Sequence, residues 1–248
     1  MTRNWGYEPY KPQGSLVAVA RDIWTVEGPE ISYRLHGIAI PCPTRMTAVR
    51  LQSGRIWIHS PVRFSNKLAS AVSKIGPLGF IVAPNTLHYV HAKDWAATHP
   101  SARVLCVDGN SSKLAPLNYQ ILRSMPSSQP CELEYSLVHL GAFEEAIFFH
   151  RSSRTLIVTD LMQNFEARRV RYPLIRFLLK IGGATGPNGR PSLELRLAAR
   201  KYREEMREAV RTMLEWEPKR IILSHGRCYE TDAVAEIKRA FISFTRNN

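Results

Sequence analysis

The sequence contains two stretches, Thr155-Leu156-Ile157-Val158-Thr159-Asp160 and Ile221-Ile222-Leu223-Ser224-His225-Gly226, that decide its fold. In both, a short run of mainly β-branched apolar residues leads almost directly to a polar side chain. Such a run is typical of a strand that is buried on both faces of a sheet. Because α/β proteins place ligands just outside the carboxyl ends of their strands, Asp160 and His225 are candidate functional residues.

Two further apolar runs also lead to polar side chains. His59 follows residues 56–58, and Asn85 and His88 follow residues 80–83. Three imidazoles and a carboxylate at strand ends form a donor set that suits zinc, iron or manganese. A metal held there would lower the pKa of bound water to about 7 and so favour hydrolysis.

The rest of the pattern arranges these residues in two series of strands and helices. Segments rich in β-branched or aromatic residues predict strands at 15–20, 23–26, 46–51, 55–59, 80–83, 103–107, 131–138, 145–150, 154–159 and 220–223. Apolar residues at helical spacing predict helices at 65–74, 91–99, 174–181, 193–216 and 231–244. Residues 109–130 are predicted to form a long connection with one short helix. Two such series predict two sheets packed together, with the helices outside.

Several short motifs resemble those of the metallo-β-lactamase superfamily. Residues 155–161 and 221–226 are similar to its fourth and fifth metal-site motifs. A closer resemblance, to a branch of the superfamily classed as a domain of unknown function, rests on residues 57–62, 83–85 with His88, 148–151, 159–161 and 225–226. The resemblance extends from about residue 18 to residue 244. It implies an α/β fold, the four-layer αββα sandwich, with the active site at one edge of the two sheets.

The domain organisation is expected to be simple. We expect a single domain of this type over residues 1–248, with an insertion over residues 161–192. The insertion is basic at first, then apolar over residues 174–181, then Gly-rich over residues 182–189. We expect a helix and a loop that cover the mouth of the site, with the glycines allowing movement.

The main histidine motif of the superfamily, H-x-H-x-D-H, is depleted in this chain. With His88 aligned on its final histidine, Ala83, Asn85 and Leu87 replace two histidines and the aspartate. The resemblance therefore implies a reduced, mononuclear site in which His88, Asp160 and His225 hold one zinc, iron or manganese ion. A site without any metal is the equal alternative.

Further roles follow from the same alignment. We expect Asn85, His88, Asp160 and His225 to be catalytic, with Asn85 donating a hydrogen bond to a substrate oxygen. Around them, His59 and Glu145 are expected to support the residues that hold the metal.

Three functions are consistent with these residues. The first is a metal-dependent hydrolase that acts on a small ester, lactone, amide or thioester. The second is a metal-free member of the fold that binds a small molecule, in which His88 could act as a base oriented by Asp160. The third is a basic protein that binds nucleic acid or serves as a scaffold. The residues leave open whether the protein is an enzyme.

The composition limits these choices. The chain has 248 residues, of which 44% are hydrophobic, and 34 Lys and Arg against 21 Asp and Glu give a net charge of +13. Much of the positive charge alternates with apolar residues over 193–216, as on a solvated helix face, so a nucleic-acid partner is disfavoured. No apolar run is long enough to cross a bilayer, so we expect a cytoplasmic protein with a small-molecule ligand and no membrane partner. The oligomeric state stays open.

Overall fold

The structure is a computed structural model that describes residues 6–35, 37–124 and 132–245. The end of the predicted connection at 109–130 and the first residue of the predicted strand at 131–138 lie outside the described residues. Within them, the chain folds into two main sheets and a separate hairpin.

The first sheet has seven strands. Its strands, in spatial order, are β1 (Leu16–Ala20), β2 (Ile23–Glu27), β5 (Arg45–Arg50), β6 (Ile56–His59), β7 (Leu78–Ala83), β8 (Arg103–Cys106) and β9 (Tyr119–Ile121). Pairing is antiparallel from β1 to β6 and parallel from β6 to β9. The carboxyl ends of β6 and β7 therefore lie at the same edge of the sheet.

The second sheet has four strands. In spatial order these are β10 (Leu133–Leu140), β11 (Phe143–His150), β12 (Thr155–Val158) and β13 (Arg220–Leu223). The strands β10, β11 and β12 run antiparallel, whereas β12 and β13 run parallel, with Val158 opposite Leu223. Parallel pairing brings the ends of the two decisive stretches together.

The helices and sheets form four layers, helix, sheet, sheet and helix, as expected from the sequence. Apolar clusters fill the spaces between neighbouring layers. The helices α1 (Asn66–Ile75) and α2 (Ala92–Thr98) pack on the outer face of the first sheet. The helices α5 (Leu193–Lys201), α6 (Arg203–Glu215) and α7 (Ala233–Ala240) pack on the outer face of the second sheet. Trp57, Val82, Phe148 and Ile222 belong to a third cluster, which fills the space between the sheets.

Three further α-helices are found in the described residues. They are α3 (Ser111–Leu114), α4 (Pro173–Gly182) and α8 (Ile242–Thr245). Among the described residues, each helix falls short of the length and apolarity that crossing a bilayer requires.

The helix predicted at 193–216 is wrong in one respect, because it is broken into α5 and α6. Tyr202, between them, leaves the helical conformation with φ −110° and ψ 54°. Its hydroxyl and ring edge lie against Gly141, in the turn between β10 and β11, with no room there for a Cβ. The break thus follows from packing of Tyr202 on the turn, which helical periodicity does not reveal.

The structure also contains a hairpin that the sequence analysis missed. Its strands are β3 (Ile31–Leu35) and β4 (Ile38–Cys42), which pair antiparallel outside both main sheets. Ile40 and Cys42 are buried against Ile175 and Leu179 of α4. The hairpin therefore packs on the predicted insertion at 161–192, which carries α4.

Candidate metal centre

The polar side chains that follow β7, β12 and β13 meet at one place between the two sheets. Val158 pairs with Leu223, and Asp160 and His225 each lie two residues further along. They therefore leave the second sheet side by side. His88 lies in the segment that follows β7 of the first sheet. This segment is joined to β11 of the second sheet, because the Ala146 amide donates to the carbonyl of Pro84 at 2.7 Å.

The three side chains form a compact group of donor atoms. The Nε2 atom of His88 lies 3.1 Å from Nε2 of His225 and 3.2 Å from Oδ2 of Asp160. The Nε2 atom of His225 lies 3.2 Å from Oδ1 of Asp160. Among the described residues, this is the group of His, Cys, Asp and Glu side chains whose spacing suits a metal ion.

These distances fit a metal ion well. Tetrahedral zinc with bonds of about 2.0–2.1 Å places its donor atoms about 3.3 Å apart, close to the observed contacts. Two imidazole nitrogens and one carboxylate are ordinary zinc, iron or manganese donors. The donor set and its spacing therefore suit one metal ion.

Hydrogen bonds on the far side of each imidazole fix its orientation. The Nδ1 atom of His225 lies 2.7 Å from the carbonyl of Pro43, to which it donates, so in the neutral imidazole Nε2 carries the lone pair that a metal ion would take. The Nδ1 atom of His88 lies 2.6 Å from Oγ of Ser60. Partners of this kind set the tautomer and basicity of metal-binding histidines.

Glu145 and Asn85 hold the segment that carries Asp160. The carboxylate of Glu145 is fully buried and accepts hydrogen bonds from the backbone amides of Thr159, Asp160 and Leu161 at 2.8, 2.9 and 3.1 Å. The Asn85 amide donates to Oε2 of Glu145 at 3.1 Å and to Oδ2 of Asp160 at 2.8 Å. Both residues thus position Asp160.

The placement of Asn85 corrects the expectation that it contacts the substrate. Its side chain is fully buried and faces away from the cavity, toward Glu145 and Asp160. Its Oδ1 atom accepts from the amides of Leu87 and His88 at 2.9 and 2.8 Å. Every polar atom of the side chain is thereby engaged inside the protein.

His59 is also placed differently from the expectation. Its ring is fully buried, stacks on Trp57 with ring centres 5.3 Å apart, and meets the edge of Phe148. Neither ring nitrogen has a hydrogen-bond partner among the described residues. His59 therefore does not bond to His88, Asp160 or His225. Burial, with a smaller contribution from the charge of His88, lowers the pKa of His59 to about 3.

The pKa values of the group reflect burial and mutual charge. Burial alone would raise the pKa of Asp160, but the charges and hydrogen bonds of His88 and His225 outweigh it and hold the pKa well below the ordinary value. Burial acts to lower the pKa of His225, but the hydrogen bond and charge of Asp160 raise it overall. Burial and then the charge of Asp160 raise the pKa of Glu145.

A cavity of about 660 Å³ opens above the three side chains. Ser60, His88, Asp160 and His225 line its base. Its walls are mostly apolar and come from the hairpin, α4, α5 and the segment after β7; they include Ile31, Tyr33, Leu87, Val90, Leu179 and Leu195. The predicted insertion thus contributes to the cavity through Leu179.

Sequence reasoning assigned no role to Ser60, Gln163 or Arg45. Ser60 has a φ of 52°, an unusual value for a residue with a side chain, and its Oγ faces His88. Gln163 donates from Nε2 to Oδ1 of Asp160 at 2.9 Å. Arg45 donates to the carbonyls of Leu223 and Gly226, beside His225. Only the position of Ser60, directly after β6, gave a signal that could have identified it.

Comparison with known proteins identifies the family. The model of the family described as Domain of unknown function (DUF4336) matches residues 21–172, more than half of the chain. The chain belongs to the DUF4336 family. No curated protein sequence matches this DUF4336 chain with significant similarity.

Solved structures show that the DUF4336 chain has the metallo-β-lactamase fold. It is similar to a metallo-β-lactamase from Pontibacter korlensis, with a TM-score of 0.56, 9% identity, and coverage of 94% of this chain and 99% of that one. A metallo-β-lactamase from Hirschia baltica gives a TM-score of 0.56 and 10% identity, with 94% and 98% covered. The flavodiiron protein from Giardia intestinalis gives 0.62 and 14%, covering 93% of this chain and 59% of that one. At these identities the similarity concerns the fold.

Proposed function

We propose that this DUF4336 protein is a hydrolase that uses one metal ion held by His88, Asp160 and His225. The observation that carries the proposal is the convergence of two Nε2 atoms and one carboxylate, with contacts of 3.1–3.2 Å, at the base of the cavity. Three protein ligands with an open position are the arrangement of a catalytic mononuclear zinc site. When bound, such an ion polarises a carbonyl oxygen and lowers the pKa of water.

The residues of the chain supply positioning and exclusion of water. Glu145 and Asn85 hold the Asp160 carboxylate, which the charges of the two histidines keep ionised. The carbonyl of Pro43 holds His225 so that its Nε2 faces the same point as Nε2 of His88. Side chains fixed in this way need little rearrangement when a ligand binds, which favours both affinity and rate.

The walls of the cavity favour a substrate with an apolar part. Apart from the polar base, the side chains that face the cavity are largely aliphatic or aromatic, such as Tyr33, Leu179 and Leu195. Burial of apolar surface contributes about 25 cal/mol per Å². We propose a small ester, lactone, amide or thioester whose carbonyl group lies at the base and whose apolar group lies along the walls.

Metal analysis tests the proposal directly. The full chain would be expressed in medium supplemented with zinc, iron and manganese, then purified without chelators. About one equivalent of one of these metals is expected, and its loss is expected in Asp160→Ala and His225→Ala. His139→Ala is the matched control, because His139 is exposed on β10 and does not belong to the group of three donors. Stoichiometry below about a tenth in the unmodified protein would reject the metal site.

A second candidate, acyl transfer without a metal, is favoured by one specific observation. Ser60 Oγ lies 2.6 Å from Nδ1 of His88, whose Nε2 lies 3.2 Å from Oδ2 of Asp160. This is the order of a serine, a base and an orienting carboxylate. In this reaction Oγ bonds to the substrate carbonyl carbon as its proton passes to Nδ1. The bond to the leaving group then breaks, the leaving group takes that proton, and water hydrolyses the acyl-serine.

The two candidates require opposite tautomers of His88. A metal takes the Nε2 lone pair, so Nδ1–H donates to Ser60; without metal, Ser60 O–H donates to Nδ1 and Nε2–H donates to Asp160. Nitrogen NMR of labelled His88 distinguishes the two, and so does activity toward a panel of aryl esters. Activity lost with a chelator but retained in Ser60→Ala at saturating metal supports the metal reaction. The reverse pattern supports the serine reaction.

A further inference from the structure

The helix α4 carries apolar side chains on its outer face as well as on its inner one. Ile175 and Leu179 are buried in the cluster beneath it. On the other side, Leu174, Phe177 and Ile181 are 66%, 58% and 59% exposed. A helix at the surface of a globular protein normally presents polar residues outward. An apolar outer stripe of this kind marks a surface that contacts something else.

Exposed apolar residues continue from α4 around the cavity. The neighbouring hairpin exposes Ile31, Tyr33 and Ile38, and its inner residues share a cluster with α4. Val90 and Leu87, which also line the cavity, are exposed too. The apolar outer residues of α4 and of the hairpin, called the apolar rim below, therefore lie on two elements that pack together beside the opening of the cavity.

Positive charge accompanies the apolar rim. Residues 166–201 contain nine Lys and Arg but only two Asp and Glu. Six of the nine cations are exposed: Arg168, Arg171, Arg176, Lys180, Arg200 and Lys201. Among the described residues, Arg171, Arg176 and Lys180 form no ion pair with an acidic group, whereas Arg207 and Arg211 of α6 pair with glutamates of the same helix. This surface therefore suits a partner that is both apolar and negatively charged.

We infer that the apolar rim docks on the surface of an anionic lipid bilayer. An interfacial helix places its apolar residues among the acyl chains while flanking Lys and Arg contact the headgroups. Each Lys or Arg near an anionic membrane surface strengthens binding, and the effect falls off within a Debye length. Docking of the apolar rim on a membrane differs from the expectation of no membrane partner. That expectation rested on the lack of an apolar run long enough to cross a bilayer. Docking at a surface needs no such run.

Co-sedimentation with lipid vesicles tests the inference. The full chain is expected to bind vesicles of equal parts phosphatidylcholine and phosphatidylglycerol, and to bind pure phosphatidylcholine much more weakly. Arg171→Gln with Lys180→Gln is expected to weaken binding to the anionic vesicles about tenfold or more. Leu174→Ser with Phe177→Ser is expected to weaken it by a similar factor, because the buried apolar area is lost. High ionic strength should reduce binding by the unmodified chain.

Matched variants elsewhere on the molecule provide the controls. Val17→Ser with Ile242→Ser removes side chains that are 40% and 52% exposed on β1 and α8. Lys67→Gln with Lys74→Gln removes two exposed cations of α1. Both should bind like the unmodified chain. Absence of binding to anionic vesicles would overturn the inference, as would equal loss in test and control variants. Self-association through the rim without vesicle binding would assign it to a second copy of the chain instead.

Discussion

Ser60 and His88 are joined by a contact of 2.6 Å between Oγ and Nδ1. Ser60 reaches His88 from the end of β6 in a left-handed conformation, with φ 52°. The serine therefore determines the direction in which Nε2 of His88 points, and this direction decides whether His88 and His225 can share a ligand.

The contact predicts an effect on metal affinity. We expect Ser60→Gly to weaken zinc binding by about tenfold, because loss of a partner of a metal-binding histidine typically has this effect. Glycine tolerates the positive φ, so the fold should be kept. Competition with a chromophoric chelator measures the affinity. The control is Ser73→Ala, at an exposed position of α1. Alanine is used there because glycine would weaken the helix. Equal affinity in Ser60→Gly and the unmodified chain would contradict the assigned role.

The hydrogen bonds that Glu145 accepts from the segment carrying Asp160 should contribute to the stability of the fold. Glu145→Gln replaces an oxygen acceptor by an amide that faces backbone donors, so we expect a loss of about 2 kcal/mol or more in the free energy of unfolding. Urea unfolding measures the loss. Glu204→Gln, at an exposed site on α6, should change it by less than about 0.5 kcal/mol. A similar small change in Glu145→Gln would argue against hydrogen bonds from the amides of residues 159–161 to Glu145.

Arg45 predicts a second large effect. Its buried guanidinium bonds to Glu27 at 2.6 Å and to the Gly226 carbonyl at 2.8 Å. Arg45→Met leaves the half-buried Glu27 carboxylate unpaired, so we expect a loss of about 3 kcal/mol. In Arg45→Met with Glu27→Gln, much of the loss should be recovered. The exposed pair of Arg50 and Asp22 is the comparison, where Arg50→Met should cost less than about 1 kcal/mol. Additive losses in the double variant would contradict this account.

His59 predicts a pH dependence of stability. Its pKa is about 3 in the folded protein and near 6.5 in the unfolded chain, so the unfolded chain binds more protons between these values. The contribution of His59 is fully present above pH 6.5 and is lost as the pH falls toward 3, by up to about 1.4 kcal/mol per pH unit. We expect His59→Leu to flatten this dependence between pH 6 and pH 4, as measured by urea unfolding. His150→Leu, whose histidine pKa is lowered less, should flatten it less.

The sequence predicted the parts of the fold that depend on buried strands. The strands β12 and β13 are continuous apolar runs, and parallel pairing necessarily brings Asp160 and His225 to one edge. His88 required the family resemblance as well, because four residues lie between it and β7. The distances among the three side chains agree with the mononuclear set that the resemblance implied.

Other features depend on contacts that no local pattern contains. Asn85 follows a strand as a substrate-binding residue would, but the fully buried Glu145 and Asp160 draw its amide inward. The hairpin of β3 and β4 was missed because it joins neither main sheet. Its alternation of apolar residues also exposes Ile31 and Tyr33 while burying Ile40 and Cys42. Ile40 and Cys42 are the buried residues because α4 packs on that face of the hairpin.

The origin of the three donors has a consequence for folding. His88 is supplied by the first sheet, whereas Asp160 and His225 are supplied by the second, so the complete set exists only when the two sheets are docked. A cation bound by all three would link the two sheets, and it would stabilise their docked arrangement without stabilising either sheet alone. Amide hydrogen exchange should then slow at the junction of the segment after β7 with β11, while the exposed edge at β1 continues to exchange at its own rate.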